Sequence, residues 1–188
     1  MLSKLHSHIA VLLLSCAWLR AAGPSALWLD VPFVKQEKNA CGAASIAMVM
    51  QFWQQQQGAS QNPDSDPARI QLALYSSKAR GIFASDLQHY LEQHGYRAFA
   101  FQANQQDLRQ HLEKGRPLIV ALKPIAADSL HYVVVAGFDS EQKLVLVNDP
   151  AERKLRKQDL ASFEREWKGT SYWTLLAVPQ SEQPSSAR

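Results

Sequence analysis

The chain has 188 residues, 20 % charged and 46 % hydrophobic, enough for one globular domain whose core needs neither disulfides nor metal. Eight Gly and nine Pro exclude a collagen-like or Pro/Gly-rich disordered chain. The net charge is +3, and setting aside Lys4 and Arg20 leaves 18 of the 20 basic residues against 17 acids, so no basic stripe points to nucleic acid.

Residues 1–23 read as an export signal. The first acid of the chain is Asp30, Lys4 supplies a positive start, and residues 9–14 form an unbroken apolar run. Eleven helical residues reach about 16 Å, half a bilayer core, so the segment is too short to span. Ala21-Ala22-Gly23 offers a small-x-small cleavage site. Leu13-Leu14-Ser15-Cys16 also has the form of a bacterial lipoprotein box, which would end the signal at residue 15 and attach the protein to a membrane through lipid on Cys16. Either route predicts an exported protein, periplasmic or bound to the cell envelope, with a folded domain over residues 28–178. It also leaves Cys41 without a disulfide partner in an oxidising compartment, a thiol that is either buried or used.

Residues 28–34 read as a short extended segment, with Pro32 keeping it at an edge. A mostly buried helix is expected from Cys41 to about Gln55, on Ala44, Ala47, Met48, Met50 and Phe52. Asp66-Pro67 restarts a helix carrying Ile70, Leu72 and Leu74. Ser85 and Gln88 have the spacing of a capping box for a helix that Gly95 stops. Residues 97–101 alternate as a strand, and Asn104 caps a short helix with Leu108 and Leu112, ending at Gly115. Strand-like runs follow at 118–122, 131–138, 144–147 and 172–178, with one amphipathic helix on Leu160, Phe163 and Trp167. Residues 179–188 read as a disordered tail. Helices first and strands later predict an α+β domain. No phosphate-binding loop or dinucleotide glycine fingerprint is present, so ATP is not an expected partner, and no cofactor or metal is called for.

Cys41 precedes Gly42-Ala43-Ala44-Ser45, where loop becomes helix. A thiol there meets free backbone N–H groups and the positive end of the helix dipole, which favour the thiolate. A small buried cysteine is the other reading. Gly42 is expected to leave room for a substrate backbone. Gln36 can reach in from the preceding loop as an uncharged donor to an oxyanion, beside the Cys41 backbone N–H. Of the six histidines, His6 and His8 belong to the signal, and His89, His94 and His111 sit on polar helix faces. His131 opens the apolar run His131-Tyr132-Val133-Val134-Val135. A hairpin turning over residues 139–142 brings Asp149 opposite His131 to within one residue, with Cβ atoms about 5 Å apart. Asn148 replaces it as the orienting group if the register slips by one.

The order Gln36, Cys41-Gly42, His131-Tyr132, Asp149-Pro150 resembles the bacteriocin-processing, double-glycine leader cysteine peptidases of the papain clan. Arg80-Gly81-Ile82, Gly95-Tyr96-Arg97, Leu118-Ile119-Val120, and Phe163 with Trp167-Lys168-Gly169 extend the likeness over residues 31–178. The resemblance implies a papain-like fold, with the catalytic cysteine at a helix N-terminus and the N-terminal helices packed on a C-terminal antiparallel sheet. It implies Cys41 as nucleophile, His131 as base and acid, Asp149 as orienter and Gln36 in the oxyanion hole. The implied substrate is a peptide or leader peptide cut after Gly-Gly or other small residues. Two departures stand out: no exporter spans or ATPase accompany the motif, which reads as a free-standing member, and Ala40 stands where many members carry Asp. An acyl or γ-glutamyl transferase and a non-catalytic peptide-binding module are the alternative functions on the same scaffold.

Overall fold

A computed structural model describes residues 26–60, 62–124 and 129–180. The signal segment with Cys16, and the tail from residue 181, lie outside the described residues. Helices α1 (Cys41–Gln56), α2 (Pro67–Leu74) and α3 (Ala84–Gln93) come first, with a single 3-10 turn at Pro63–Ser65. Strand β1 (Ala26–Trp28) precedes them. After them come β2 (Tyr96–Gln102), α4 (Gln105–Glu113), β3 (Leu118–Leu122), β4 (His131–Asp139), β5 (Leu144–Asn148), β6 (Arg156–Asp159), α5 (Leu160–Lys168) and β7 (Trp173–Pro179). All pairings of the named strands are antiparallel, in the order β2-β7-β3-β4-β5-β6, with β1 added beside the far end of β4.

The sheet is covered on both faces. On one side Ile46, Met50 and Val49 of α1, with Leu87 and Leu91 of α3, pack on Ile119, Val134 and Leu175. On the other, Leu108 and Leu112 of α4 and Phe163 and Trp167 of α5 pack on Val120, Val133, Val135 and Val147. This is why β3 and β4 read as continuous apolar runs rather than alternating ones: each residue of β3 is buried, and so are residues 132–137 of β4. Helix α1 is the central rod. Every residue from Gly42 to Met50 is buried, so it is apolar all round and its position is fixed by neighbours on several sides.

Local signals behave as chemistry dictates where the backbone decides. Asn104 and Asp107 form a reciprocal capping box at α4, Asp66 caps α2, and Gly95 and Gly115 end helices at positive φ. Four expectations are corrected. Ser85 does not cap α3, because the helix already begins at Ala84 after Phe83; Ser85 lies inside the first turn and bonds Asp86, and Gln88 reaches Glu92 and the Ala98 carbonyl. Leu72 is 88 % exposed, since α2 is a short surface helix that buries only Ile70 against α1. His111 is half-buried against Phe101 rather than on a solvated face. Strand β7 runs through Pro179, and Gln180 still bonds Gly95, so ordered pairing passes the expected start of the tail.

Candidate active site

Helix α1 begins at Cys41 with no side-chain cap: Ala40 before it has none to offer. The N–H groups of the first turn therefore stay available at the positive end of a 16-residue buried helix. Asn39, at φ 58, turns the chain into that start, a left-handed conformation asparagine tolerates well. Gly42 does not open space for a substrate, contrary to expectation. A side chain there would stand 3.1 Å from Leu87 and 3.4 Å from Ile82, so this glycine lets α3 lie close against α1.

His131 is the first residue of β4, and Asp149 is the first after β5. The hairpin closes on Asp139 with Leu144, and a bulge between Val135 and Gly137 then shifts the pairing. Val134 faces Asn148, so Val133 rather than His131 would stand opposite Asp149. The expected pairing is displaced by two residues, which makes His131 and Asp149 diagonal neighbours. Because strand side chains repeat every two residues, they still share a face, and the diagonal lies within reach of long side chains. The His131 Nε2 is 2.7 Å from Asp149 Oδ1. Asn148 points to the other face, where its Nδ2 donates to the Val31 and Pro32 carbonyls and its Oδ1 accepts from Leu155 N–H. That buried amide straps the loop before α1 to the end of β5, and Gln36 N–H completes the strap by donating to the Pro150 carbonyl at 2.9 Å.

The strap brings Gln36 to the rim of one cleft of about 670 Å³ whose walls also include Cys41, His131 and Asp149. All four residues singled out from sequence line it. The Gln36 Oε1 is buried with no partner, so nothing in the fold fully occupies this side chain. Ile82, Phe83 and Leu130 give the cleft an apolar side, while Glu152, Arg156 and Glu166 make the other side charged. Among the described residues, no group of three or more His, Cys, Asp or Glu could hold a metal ion.

With Nε2 taken by Asp149, the Nδ1 of His131 is the ring nitrogen left for the Cys41 thiol, and the two groups shift each other's pKa. Burial alone would raise the Cys41 pKa. The His131 hydrogen bond, the Tyr132 and Gly42 backbone N–H groups and the imidazolium charge outweigh it and hold the thiol below its ordinary value. Burial would likewise discourage charge on His131, but its bonds to Asp149 and Cys41 push its pKa up to about 9. Asp149, only 4 % exposed, is driven up by burial and brought below the usual carboxylate range by His131, the Ala151 N–H and Arg156. The three shifts favour one state: thiolate, imidazolium, carboxylate.

The family model described as Peptidase_C39 like family matches residues 28–174. The chain belongs to that family. As a Peptidase C39-like protein it is a cysteine peptidase of papain-like fold. A search of curated proteins found no match. Among solved structures, it is similar to a double glycine motif protease from an AMS/PCAT transporter in complex with the leader peptide, at 23 % identity and TM-score 0.62, covering 81 % of this chain and 94 % of that one. A C39-like peptidase from Bacillus anthracis is 18 % identical at TM-score 0.61, over 84 % and 99 % of the two chains. The peptidase domain of Streptococcus ComA, a bi-functional ABC transporter, is 20 % identical at 0.60, over 80 % and 98 %. At these identities the likeness is one of fold.

Proposed function

We propose that this C39-like protein hydrolyses peptide bonds through Cys41, His131, Asp149 and Gln36, after Gly-Gly or other small residues. One observation carries the reading: a buried Asp149 carboxylate holds one nitrogen of His131 at 2.7 Å in the same cleft as a thiol at the open start of a helix, whose pKa the imidazole lowers. The Cys41 sulfur attacks the scissile carbonyl carbon, and the oxyanion that forms is met by the Cys41 backbone N–H and the Gln36 side chain. His131 gives its proton to the departing amine as the C–N bond breaks, leaving a thioester. Water then loses a proton to His131 and attacks that thioester, the C–S bond breaks, and the acid product leaves with the thiolate restored. Preference for small residues before the cut is supported by the fold shared with the double glycine motif protease. The acid-free, apolar N-terminal segment supports export, with the Cys16 box a second mode of envelope attachment.

Incubating the protein (residues 24–188) with peptides that carry Gly-Gly ahead of a short cargo, followed by mass analysis, tests this. Cleavage after the second Gly, abolished by replacing both glycines with leucine, is expected. Equal cutting of both peptides overturns the small-residue preference, and products carrying an added amine in place of water mark a transferase instead.

A further inference from the structure

The carboxylate that orients His131 is itself held by a cation from the next strand. Arg156 lies on β6, paired with Val147 of β5, and so shares the face from which Asp149 projects two residues on. Its Nε stands 3.3 Å from Asp149 Oδ2, the oxygen that His131 does not use. The rest of the guanidinium is fixed: Nη2 donates to Gln158 Oε1 at 2.9 Å, and Nη1 lies 3.4 Å from Glu152 Oε1. Gln158 in turn donates to Glu166 of α5 at 3.1 Å. The Nε–H has no acceptor in line, so the contact with Asp149 acts through charge rather than an aligned hydrogen bond.

We propose that Arg156 is a positioning residue for the reaction, one that turns the Asp149 carboxylate toward His131 and weakens its hold on the imidazolium proton. The proposal rests on the Cys41–His131–Asp149 reading. A carboxylate with no counter-charge would stabilise the imidazolium further and make His131 a poorer acid toward the leaving amine. A cation on the far oxygen shares the carboxylate's charge and restores that acidity. The charged groups around the pair are Cys41 from α1, His131 from β4, Glu152 from the loop after β5, Glu166 from α5 and Arg80 from the loop before α3. Arg156 touches Asp149 directly, and Glu152 partly neutralises it from the solvent side, where it is 54 % exposed.

The sign is specific. Removing a positive charge raises the pKa of every nearby group, so Arg156→Gln moves both limbs of the kcat/KM profile to higher pH. At an effective separation of about 7 Å the displacement is about half to one pH unit. Arg156→Lys keeps the charge and stays close to the wild-type limbs. Glu152→Gln, at a solvent-facing position, removes a negative charge and moves the limbs the opposite way, by a few tenths of a unit; it also serves if Arg156→Gln does not fold. Lower activity with unshifted limbs in Arg156→Gln, an equal shift in Arg156→Lys, or an upward or absent shift in Glu152→Gln would overturn the proposal. Cleavage that survives in Cys41→Ala would instead remove the reading on which it rests.

Discussion

Cys41→Ala loses peptide cleavage by at least about 10⁴-fold in kcat/KM, while the protein stays folded. The size follows from the chemistry. Without the sulfur no thioester forms, and His131 and Gln36 retain only binding and oxyanion stabilisation. The fold survives because Cys41 is partly exposed at the cleft and the change removes one atom, which keeps the stability cost within about 1 kcal/mol. The same substitution has an internal control. The thiolate is one of the groups that raises His131, so its removal lowers the His131 pKa from about 9. NMR titration of the His131 ring in wild type and variant reads this directly. A variant that still cuts peptides, or a His131 titration that does not move, contradicts the assignment.

Asp149→Asn keeps the shape of the buried group and removes its charge, and kcat falls by about 10³- to 10⁴-fold. An amide presents an oxygen or a nitrogen to His131 Nε2, and only the carboxylate stabilises the imidazolium. Arg156 is left with Glu152 as its remaining ion-pair partner. The stability effect has a definite sign. A carboxylate whose folded pKa is depressed stabilises above its unfolded value and loses that contribution as pH falls through the folded one. The variant is therefore less stable than wild type at neutral pH, and the gap closes as both are taken into acid. His131 behaves oppositely. Its folded pKa, about 9, lies above the ordinary 6.5, so its stabilisation is complete below 6.5 and decays as pH rises toward 9. Thermal melts of wild type and variant from pH 3 to 10 check both slopes.

The parts of this site legible in sequence were those set by local backbone chemistry or by strong periodicity. Helix α1, the capped α4, and strands β3, β4 and β5 follow from apolar pattern and from Asn104 and Gly115. Cys41 at a helix start needs no tertiary information. The meeting of His131 with Asp149 was accessible because a hairpin ties them together, although the hairpin closing on Asp139 and Leu144, shifted by one residue at the bulge before Gly137, leaves the pairing two residues from the expected one. A two-residue displacement preserves the face, which is why the partners were right and the pairing was not. Asn148 fell to the opposite face for the same reason.

What escaped depends on neighbours far along the chain. Strand β6 is Arg-Lys-Gln-Asp, a polar sequence that pairs only because β5 presents an open edge to it. Arg156 was therefore one basic residue among Arg153, Lys154 and Lys157, with no periodicity to single it out. Gly42 packs against Leu87 and Ile82, more than thirty residues on, a contact that local spacing cannot reveal. Ser85 failed as a cap because the first turn of α3 begins two residues earlier than its motif implies.

Cleavage depends on a thiolate paired with an imidazolium, and the pH dependence of Cys41 alkylation by iodoacetamide measures that pair. Wild-type protein reacts with a midpoint below the free-thiol value of about 8.5, and His131→Ala moves the midpoint upward. A wild-type midpoint at the free-thiol value, unmoved by His131→Ala, would contradict it.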